Sequence, residues 1–205
     1  MKKLSVSNGQ RSVGNRQQPG WFRGFTLVEL LVVITIIALL AGLLLPVIIG
    51  AIGKAEKAKA QAEVNALATA IEQYQIEYSK YPGQSTGSSG DHQYGASEYR
   101  NLVDTLRGTN ISWGGGYANP RGHVFLSVDE KSIVASNASG TASVGMWSDP
   151  WGNRYEAIAD WNFDNKIDNP LADGARISGR GVAVWSRGPK GIATAGDPTH
   201  IRSWK

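Results

Sequence analysis

One acidic residue stands inside the most apolar part of the sequence. Glu29 directly precedes residues 30–53, which are 24 consecutive residues without a charge. A carboxylate in such surroundings costs about 2.5–3.5 kcal/mol on membrane-insertion scales, so it predicts a function and a cationic partner. An isolated membrane anchor gains nothing from this charge. Glu29 is therefore the first candidate functional residue.

A second candidate site is a run of oxygen-bearing residues in the C-terminal half. Alternate positions of residues 160–168 carry Asp160, Asn162, Asp164, Lys166 (through its backbone carbonyl) and Asp168. This spacing is typical of calcium loops, in which carboxylate, amide and carbonyl oxygens surround the ion. The twelfth position is Leu171 instead of a bidentate acid, so a further ligand such as Asp173 is needed. The sequence leaves two interpretations open, a calcium site and a polar turn between strands.

The other chemically active side chains form no catalytic pattern. His92, His123 and His200 are scattered without a metal-ligand spacing, and there is no P-loop and no G-x-S-x-G sequence. Cysteine is absent, so neither a thiol nucleophile nor a disulfide is available. We therefore expect a protein that is not an enzyme.

The positive charge of the chain is concentrated at its N-terminus. The net charge is +4, but residues 1–24 hold five of the 21 basic residues and no acidic one. The remaining 16 basic residues nearly balance the 17 acidic ones, so no nucleic-acid partner is expected.

The apolar run is long enough to cross a membrane. At ~1.5 Å per residue it spans roughly 36 Å as a helix, against a hydrocarbon core of about 30 Å. It is also longer than the apolar region of a secretory signal peptide, about 7–15 residues. Because basic residues precede it, we expect the N-terminus in the cytoplasm and the chain after Lys54 on the other side.

The start of this run resembles the prepilin peptidase site of the type IV pilin-like family. The residues that carry the resemblance are GFTLVE at 24–29, followed by the apolar run. The resemblance implies that a peptidase removes residues 1–24, that the cut falls between Gly24 and Phe25, and that the new Phe25 amine is methylated. It also implies that Glu29 attracts the Phe25 amine of a neighbouring subunit and that Pro46 kinks the helix. A head-to-tail contact of this kind does not close and builds a helical homopolymer.

The helical pattern continues beyond the apolar run. Residues 54–78 lack glycine and proline, and the apolar residues recur every three or four positions: Val64, Leu67, Ile71, Tyr74 and Tyr78. We predict an α+β fold in which one long N-terminal helix, about 27–80, packs its outer half on a small antiparallel sheet. The predicted divisions are a leader (1–24), a transmembrane half-helix (25–53), an outer half-helix (54–82) and a globular domain (83–205).

Turn residues and apolar runs divide the globular domain further. A Gly/Ser-rich surface loop is expected at 83–95 and an irregular glycine-rich segment at 109–122. A helix is expected at 97–106, with Tyr99, Leu102, Val103 and Leu106 facing inward. The expected strands are 123–128, 131–135, 154–159 and 181–185.

Two C-terminal segments resemble the major pseudopilin family of type II secretion systems. They are SDPWGNRY at 148–155 and VAVWSRG at 182–188, and the ending IRSWK at 201–205 is similar as well. Trp151 is expected between sheet and helix. The resemblance implies calcium in the loop after the last strand, but residues 188–197 carry Lys190 and a single carboxylate, Asp197. This composition disfavours calcium there, because the ion takes six to eight oxygens.

The resemblance implies a filament subunit of a type II secretion system. It implies an inner-membrane precursor with a periplasmic C-terminal domain, and contacts with copies of itself, minor pseudopilins, the prepilin peptidase and an inner-membrane assembly platform. Two alternatives remain: a pilin of a surface pilus for adhesion, motility or DNA uptake, and a membrane-anchored calcium-binding domain that does not polymerise. Glu29 argues against the last.

Overall fold

The structure is a computed structural model that divides into two compact units, Met1–Val47 and Ile48–Lys205. The residues that it describes are 24–85, 87–109, 111–129, 132–133, 146–171, 175–191 and 197–204. The predicted leader therefore lies almost entirely outside the described residues.

Helix α1, Leu27–Tyr78, is 52 residues long and contains Pro46. It begins after Thr26, and Ser79 follows it with a left-handed backbone (φ +55°), a conformation common just past a helix end. The predicted end at residue 80 is therefore correct to within two residues. The boundary between the two units falls between Val47 and Ile48, one residue beyond Pro46.

In the first unit, every described side chain of α1 is exposed. Apart from Glu29 and Thr35, nearly all of them are aliphatic, for example Leu39 (66% exposed) and Leu43 (67% exposed). Within the described residues, α1 is long and apolar enough to cross a membrane. A helix with an apolar surface all round requires lipid or other helices to cover it.

In the second unit, α1 buries one face. Ala60, Val64, Leu67, Ile71 and Tyr74 are wholly buried at the three- and four-residue spacing of a helix face. Tyr78 is partly buried and packs against the same core. The predicted stripe is confirmed.

The face of α1 packs on a four-stranded antiparallel sheet. The strands are β1 (His92–Gln93), β4 (Glu156–Ala159), β7 (Val182–Ser186) and β8 (Ile201–Arg202), which lie in that order. Ala157 lies opposite Val184, and both belong to the core shared with α1. Together with α1 this sheet confirms the predicted α+β, pilin-like fold.

Helix α2, Ala96–Leu106, completes the main core. Its buried apolar residues are the four that the sequence predicted, Tyr99, Leu102, Val103 and Leu106. The hydroxyl of Tyr99 donates to the Trp147 carbonyl at 3.1 Å, which connects the helix to the chain that leads into the sheet.

The opposite face of the sheet is covered as well. Strands β5 (Lys166–Asp168) and β6 (Arg176–Ser178) form a hairpin between β4 and β7 in the chain. A second apolar cluster contains Ile158, Ala183 and Trp185 from the sheet, Ile167 and Ile177 from the hairpin, and also Leu171 and Trp204. Strands β4 and β7 are therefore buried on both faces.

Several predicted elements differ from the structure. Residues 123–128 form no strand, because the N–H groups of Phe125 and Leu126 both donate to the carbonyl of Leu106. The expected loop 83–95 contains edge strand β1. The expected irregular segment 109–122 contains a small hairpin of β2 (Ser112–Trp113) and β3 (Gly116–Tyr117). Of the expected strand 131–135, only residues 132 and 133 are described.

Candidate functional site

Thr26 and Glu29 cap the start of α1 reciprocally. The N–H of Glu29 donates to the Thr26 hydroxyl oxygen at 3.2 Å. In return, Glu29 Oε2 accepts from the Thr26 hydroxyl at 2.7 Å and from the Thr26 N–H at 2.9 Å. This is a capping box, in which two side chains satisfy N–H groups that the first helical turn leaves unpaired. Glu29 thus has a structural role that the sequence reading missed, although the T-x-x-E spacing signals it.

The capping box engages only one oxygen of Glu29. Both hydrogen bonds end on Oε2, and within the described residues Oε1 accepts none. Phe25 and Gly24 precede the cap and are exposed. An acceptor therefore remains on the exposed carboxylate for a donor from another molecule.

Three carboxylates converge in the second unit. One oxygen from each of Asp91, Asp160 and Asp164 lies within 4.8 Å of the others. Asp160 is buried, and its oxygens accept the N–H groups of Asp164 (3.2 Å) and Asn165 (2.7 Å). Asn165 has a left-handed backbone (φ +59°), which asparagine adopts at lower cost than most residues. The turn therefore folds around the Asp160 side chain.

Only two of the predicted calcium ligands, Asp160 and Asp164, belong to this cluster. Asn162 is exposed, and Lys166 and Asp168 lie in β5. The carboxylate of Asp168 accepts from Arg176 Nε at 2.9 Å. The third carboxylate comes from Asp91, which sequence spacing could not indicate because it precedes β1, far away along the chain.

The electrostatics of Asp91 favour a nearby cation. Its Oδ2 accepts the N–H of Asp168 at 2.7 Å, whereas its Oδ1 is buried and has no hydrogen-bond partner among the described residues. Burial raises the pKa of Asp91, and the negative charges of Asp168, Asp160 and Asp164 raise it further. A cation placed among these carboxylates would offset both effects.

The turn at residues 149–153 is organised by one buried carboxylate. Asp149 accepts the N–H groups of Trp151 (3.1 Å) and Asn153 (2.8 Å) and the hydroxyl of Ser186 (2.6 Å). Burial is the main cause that raises the pKa of Asp149. Asn153 in turn donates to the carbonyl of Gly188 at 3.1 Å. This turn therefore holds the end of β7 and the loop that follows it.

Two aromatic side chains attach the same region to α1. Trp151 is partly buried against the main core, as predicted, and its Nε1 donates to Glu56 Oε2 at 3.1 Å. The hydroxyl of Tyr155 donates to Glu63 Oε2 at 2.5 Å. These two hydrogen bonds hold Trp151 and Tyr155 against α1.

In the loop after β7, Lys190 Nζ lies 3.6 Å from Asp197 Oδ2. The other oxygen of Asp197 accepts the N–H and the hydroxyl of Thr199 at 2.8 and 2.7 Å. These two bonds from Thr199 are the main cause that lowers the pKa of Asp197, and Lys190 adds to it. The one carboxylate of this loop is thus already paired with a cation of the chain.

Comparison with known proteins places these features in a family. Residues 22–45 match the family described as the prokaryotic N-terminal methylation motif. Together with the exposed apolar part of α1 and the antiparallel sheet of the second unit, this motif defines a pilin-like subunit. Residues 47–119 match the family described as type II secretion system (T2SS), protein G.

Individual relatives support the same family. The type II secretion system core protein G of Aeromonas hydrophila is 30% identical over 131 residues, which are 61% of this chain and 92% of that protein. The chain belongs to the family of type II secretion system core protein G. Members of this family are structural pseudopilins of the secretion system.

Other relatives match over a shorter part. The core protein G of Pectobacterium carotovorum subsp. carotovorum is 39% identical over 80 residues, 38% of this chain and 49% of that protein. That of Escherichia coli (strain K12) is 43% identical over 65 residues, 32% of this chain and 45% of that protein. The chain spans about half the length of these curated relatives. No solved structure matches the chain.

Proposed function

We propose that this chain is the major filament subunit of a type II secretion system and that its filament acts in protein export. The similarity to the Aeromonas core protein G over 92% of that protein carries the proposal. The exposed apolar helix supports it, because a surface of this kind is stable only when lipid or neighbouring helices cover it.

The proposed maturation begins at the methylation motif. The prepilin peptidase cuts between Gly24 and Phe25, removes residues 1–24 and methylates the Phe25 amine. The residues of the capping box, Thr26 and Glu29, lie beyond the cut, so the start of α1 keeps its hydrogen bonds in the mature chain. The match to the methylation motif at 22–45 supports this step.

The proposed assembly contact uses the unengaged oxygen of Glu29. In the mature filament, Oε1 of one subunit accepts from the Phe25 ammonium group of its neighbour, while Oε2 stays with Thr26. Removal of either partner of an ion pair in apolar surroundings strongly destabilises the contact between subunits, because the other charge is left without compensation. Pro46 lacks the N–H that an α-helix requires at that position, which makes the helix easiest to bend or open there during packing.

The proposed location is the inner membrane. The apolar half of α1 anchors the precursor with its N-terminus in the cytoplasm and its C-terminal domain in the periplasm. The partners are copies of the chain, minor pseudopilins, the prepilin peptidase and an inner-membrane assembly platform. In this role the protein carries out no catalysis itself.

A secretion assay with electron microscopy tests the function. A strain that lacks the protein should retain its exported proteins in the periplasm, and the full chain should restore export. A strain that exports normally but has lost surface pili would instead identify a pilin of a surface pilus.

We also propose that the carboxylates of Asp91, Asp160 and Asp164 hold a structural calcium ion. The residues fit this ion, because carboxylate oxygens are its preferred ligands and Asp91 Oδ1 is buried without a partner among the described residues. Lys166 and Asn162 remain further candidates through carbonyl and amide oxygens, as the loop spacing predicts. The ion would connect the segment before β1 to the turn between β4 and β5.

A further inference from the structure

A polar groove lies in the second unit on the side of the β5–β6 hairpin. Its volume is about 690 Å³, within the range of about 300–1,000 Å³ that is usual for small-ligand sites. Ile177 and Trp204 are its buried apolar members and belong to the second core cluster. The other lining residues are Gln61, Asn65, Asn169, Arg176, Ser178, Arg180, Arg202 and Ser203.

Positive charge dominates this groove. Arg176, Arg180 and Arg202 are exposed, and none of the described residues that line the groove is acidic. Arg176 is paired with Asp168 through its Nε at 2.9 Å. Within the described part of the chain, no carboxylate lies within ion-pair distance of Arg180 or Arg202. Two guanidinium groups therefore remain available to a ligand.

The hydrogen-bond acceptors of the groove are largely occupied. Asn65 Oδ1 accepts from Gln61 Nε2 at 3.3 Å, and Asn169 Oδ1 accepts from the Leu171 N–H at 3.0 Å. Ser203 Oγ accepts from the Val184 N–H at 3.0 Å. What remains are mainly donors, namely the amide nitrogens of Asn65 and Asn169 and the guanidinium groups. A matching ligand must be rich in acceptor oxygens and negatively charged.

We propose that this groove binds a phosphoryl group, with Arg180 and Arg202 supplying the principal charges. The planar guanidinium fork matches the oxygens of phosphate in a two-pronged hydrogen bond. Asn65 and Asn169 line the same groove, and their amide nitrogens are further donors for such a group. The chemistry of this site is shared by free phosphate and by the headgroup of an anionic phospholipid.

Calorimetric titration of the full chain in neutral detergent with inorganic phosphate tests the site. The same titration with chloride at equal ionic strength measures general screening. The paired variant Arg180→Gln with Arg202→Gln removes both uncompensated charges. The matched control, Lys57→Gln with Lys80→Gln, removes two exposed charges outside the groove and changes the net charge equally.

We expect saturable phosphate binding to the unsubstituted chain. The affinity should fall about tenfold or more in the arginine variant and should remain in the lysine variant. Equal weakening in both variants, or heat no greater than with chloride, would overturn the proposal.

Nanodiscs distinguish the two sources of the ligand. Phosphate affinity is measured in pure phosphatidylcholine and in phosphatidylcholine with phosphatidylglycerol. If the unsubstituted chain and the lysine variant both lose phosphate binding only with phosphatidylglycerol, the headgroup is the ligand. Unchanged binding in both lipids identifies the free anion.

Discussion

Glu29 and Thr26 exchange hydrogen bonds at the first turn of α1, and both of the bonds that Glu29 accepts end on Oε2. The carboxylate therefore caps its own helix with one oxygen, and Oε1 is left to accept a hydrogen bond from another molecule. Substitution of Glu29 alone would change both the helix cap and the proposed filament contact, so it could not distinguish the two roles.

Substituting Glu29 and Thr26 separately distinguishes helix capping from the proposed filament contact. We expect Glu29→Gln to insert into the membrane and be cleaved, yet to enter filaments poorly, because a neutral amide cannot compensate a buried ammonium group. Thr26→Ala removes the hydroxyl of the cap, at a cost of about 1 kcal/mol, but keeps the charge. It should assemble nearly normally.

Cross-linking and electron microscopy of filaments measure both variants, and membrane fractionation controls for insertion. If Thr26→Ala impaired assembly as strongly as Glu29→Gln, capping alone would account for Glu29 and the proposed contact with Phe25 would be unnecessary.

Calcium should raise the thermal stability of the protein. With free calcium at a hundredfold excess over Kd, a site that exists only in the folded state adds about 2.7 kcal/mol to the free energy of unfolding. Asp91→Asn should abolish most of the calcium-dependent rise in Tm, because it removes one of the three converging carboxylates.

Asp104→Asn is the matched control for the calcium experiment, since Asp104 lies outside the cluster and pairs with Arg107 at 3.9 Å. A calcium-dependent rise in Tm that is equal in both variants would place the ion elsewhere. Magnesium at the same concentration tests selectivity.

The hydrogen bond from Tyr155 to Glu63 should contribute measurably to stability. Tyr155 is wholly buried, and burial is the main cause that raises its pKa, so the phenol keeps its proton and donates. Tyr155→Phe should lower the free energy of unfolding by about 1.5–3 kcal/mol, the usual range for hydrogen bonds to charged groups.

A double-mutant cycle with Glu63→Gln isolates this interaction from other effects of each substitution. Chemical denaturation of the four proteins measures it. Additive effects of the two substitutions would mean that the 2.5 Å contact contributes nothing of its own.

The sequence predicted the elements whose signal is local. Helix α1 follows from the apolar run and the stripe through Val64 and Tyr74, and helix α2 from the same periodicity. Strands β4 and β7 follow from β-branched and aromatic residues between turns. In each case the residues of one segment suffice to define the element.

Elements that depend on distant partners were missed. Strand β1 exists because residues 92–93 pair with β4 at the sheet edge, a contact that no local pattern indicates. The β2–β3 hairpin did have a signal, since Gly114 and Gly115 have φ of +64° and +84°, values that favour glycine in a two-residue turn. Residues 123–128 have the composition of a strand, but their N–H groups bond to the end of α2.

The candidate sites divide in the same way. The proposed cut site, Phe25 and Glu29 lie within one six-residue segment, so a single local motif predicts them together. The carboxylate cluster could be predicted only in part, because Asp91 reaches Asp160 and Asp164 through the fold. The groove that contains Arg180 and Arg202 combines residues of α1, the β5–β6 hairpin and β8, so no single segment of the sequence indicates it.

Mass spectrometry of the chain recovered from purified filaments tests the central claim most directly. We predict a mature chain that begins at N-methylated Phe25 and is the most abundant component of the filament. A filament without this chain, or a chain that still carries residues 1–24, would contradict the proposed role.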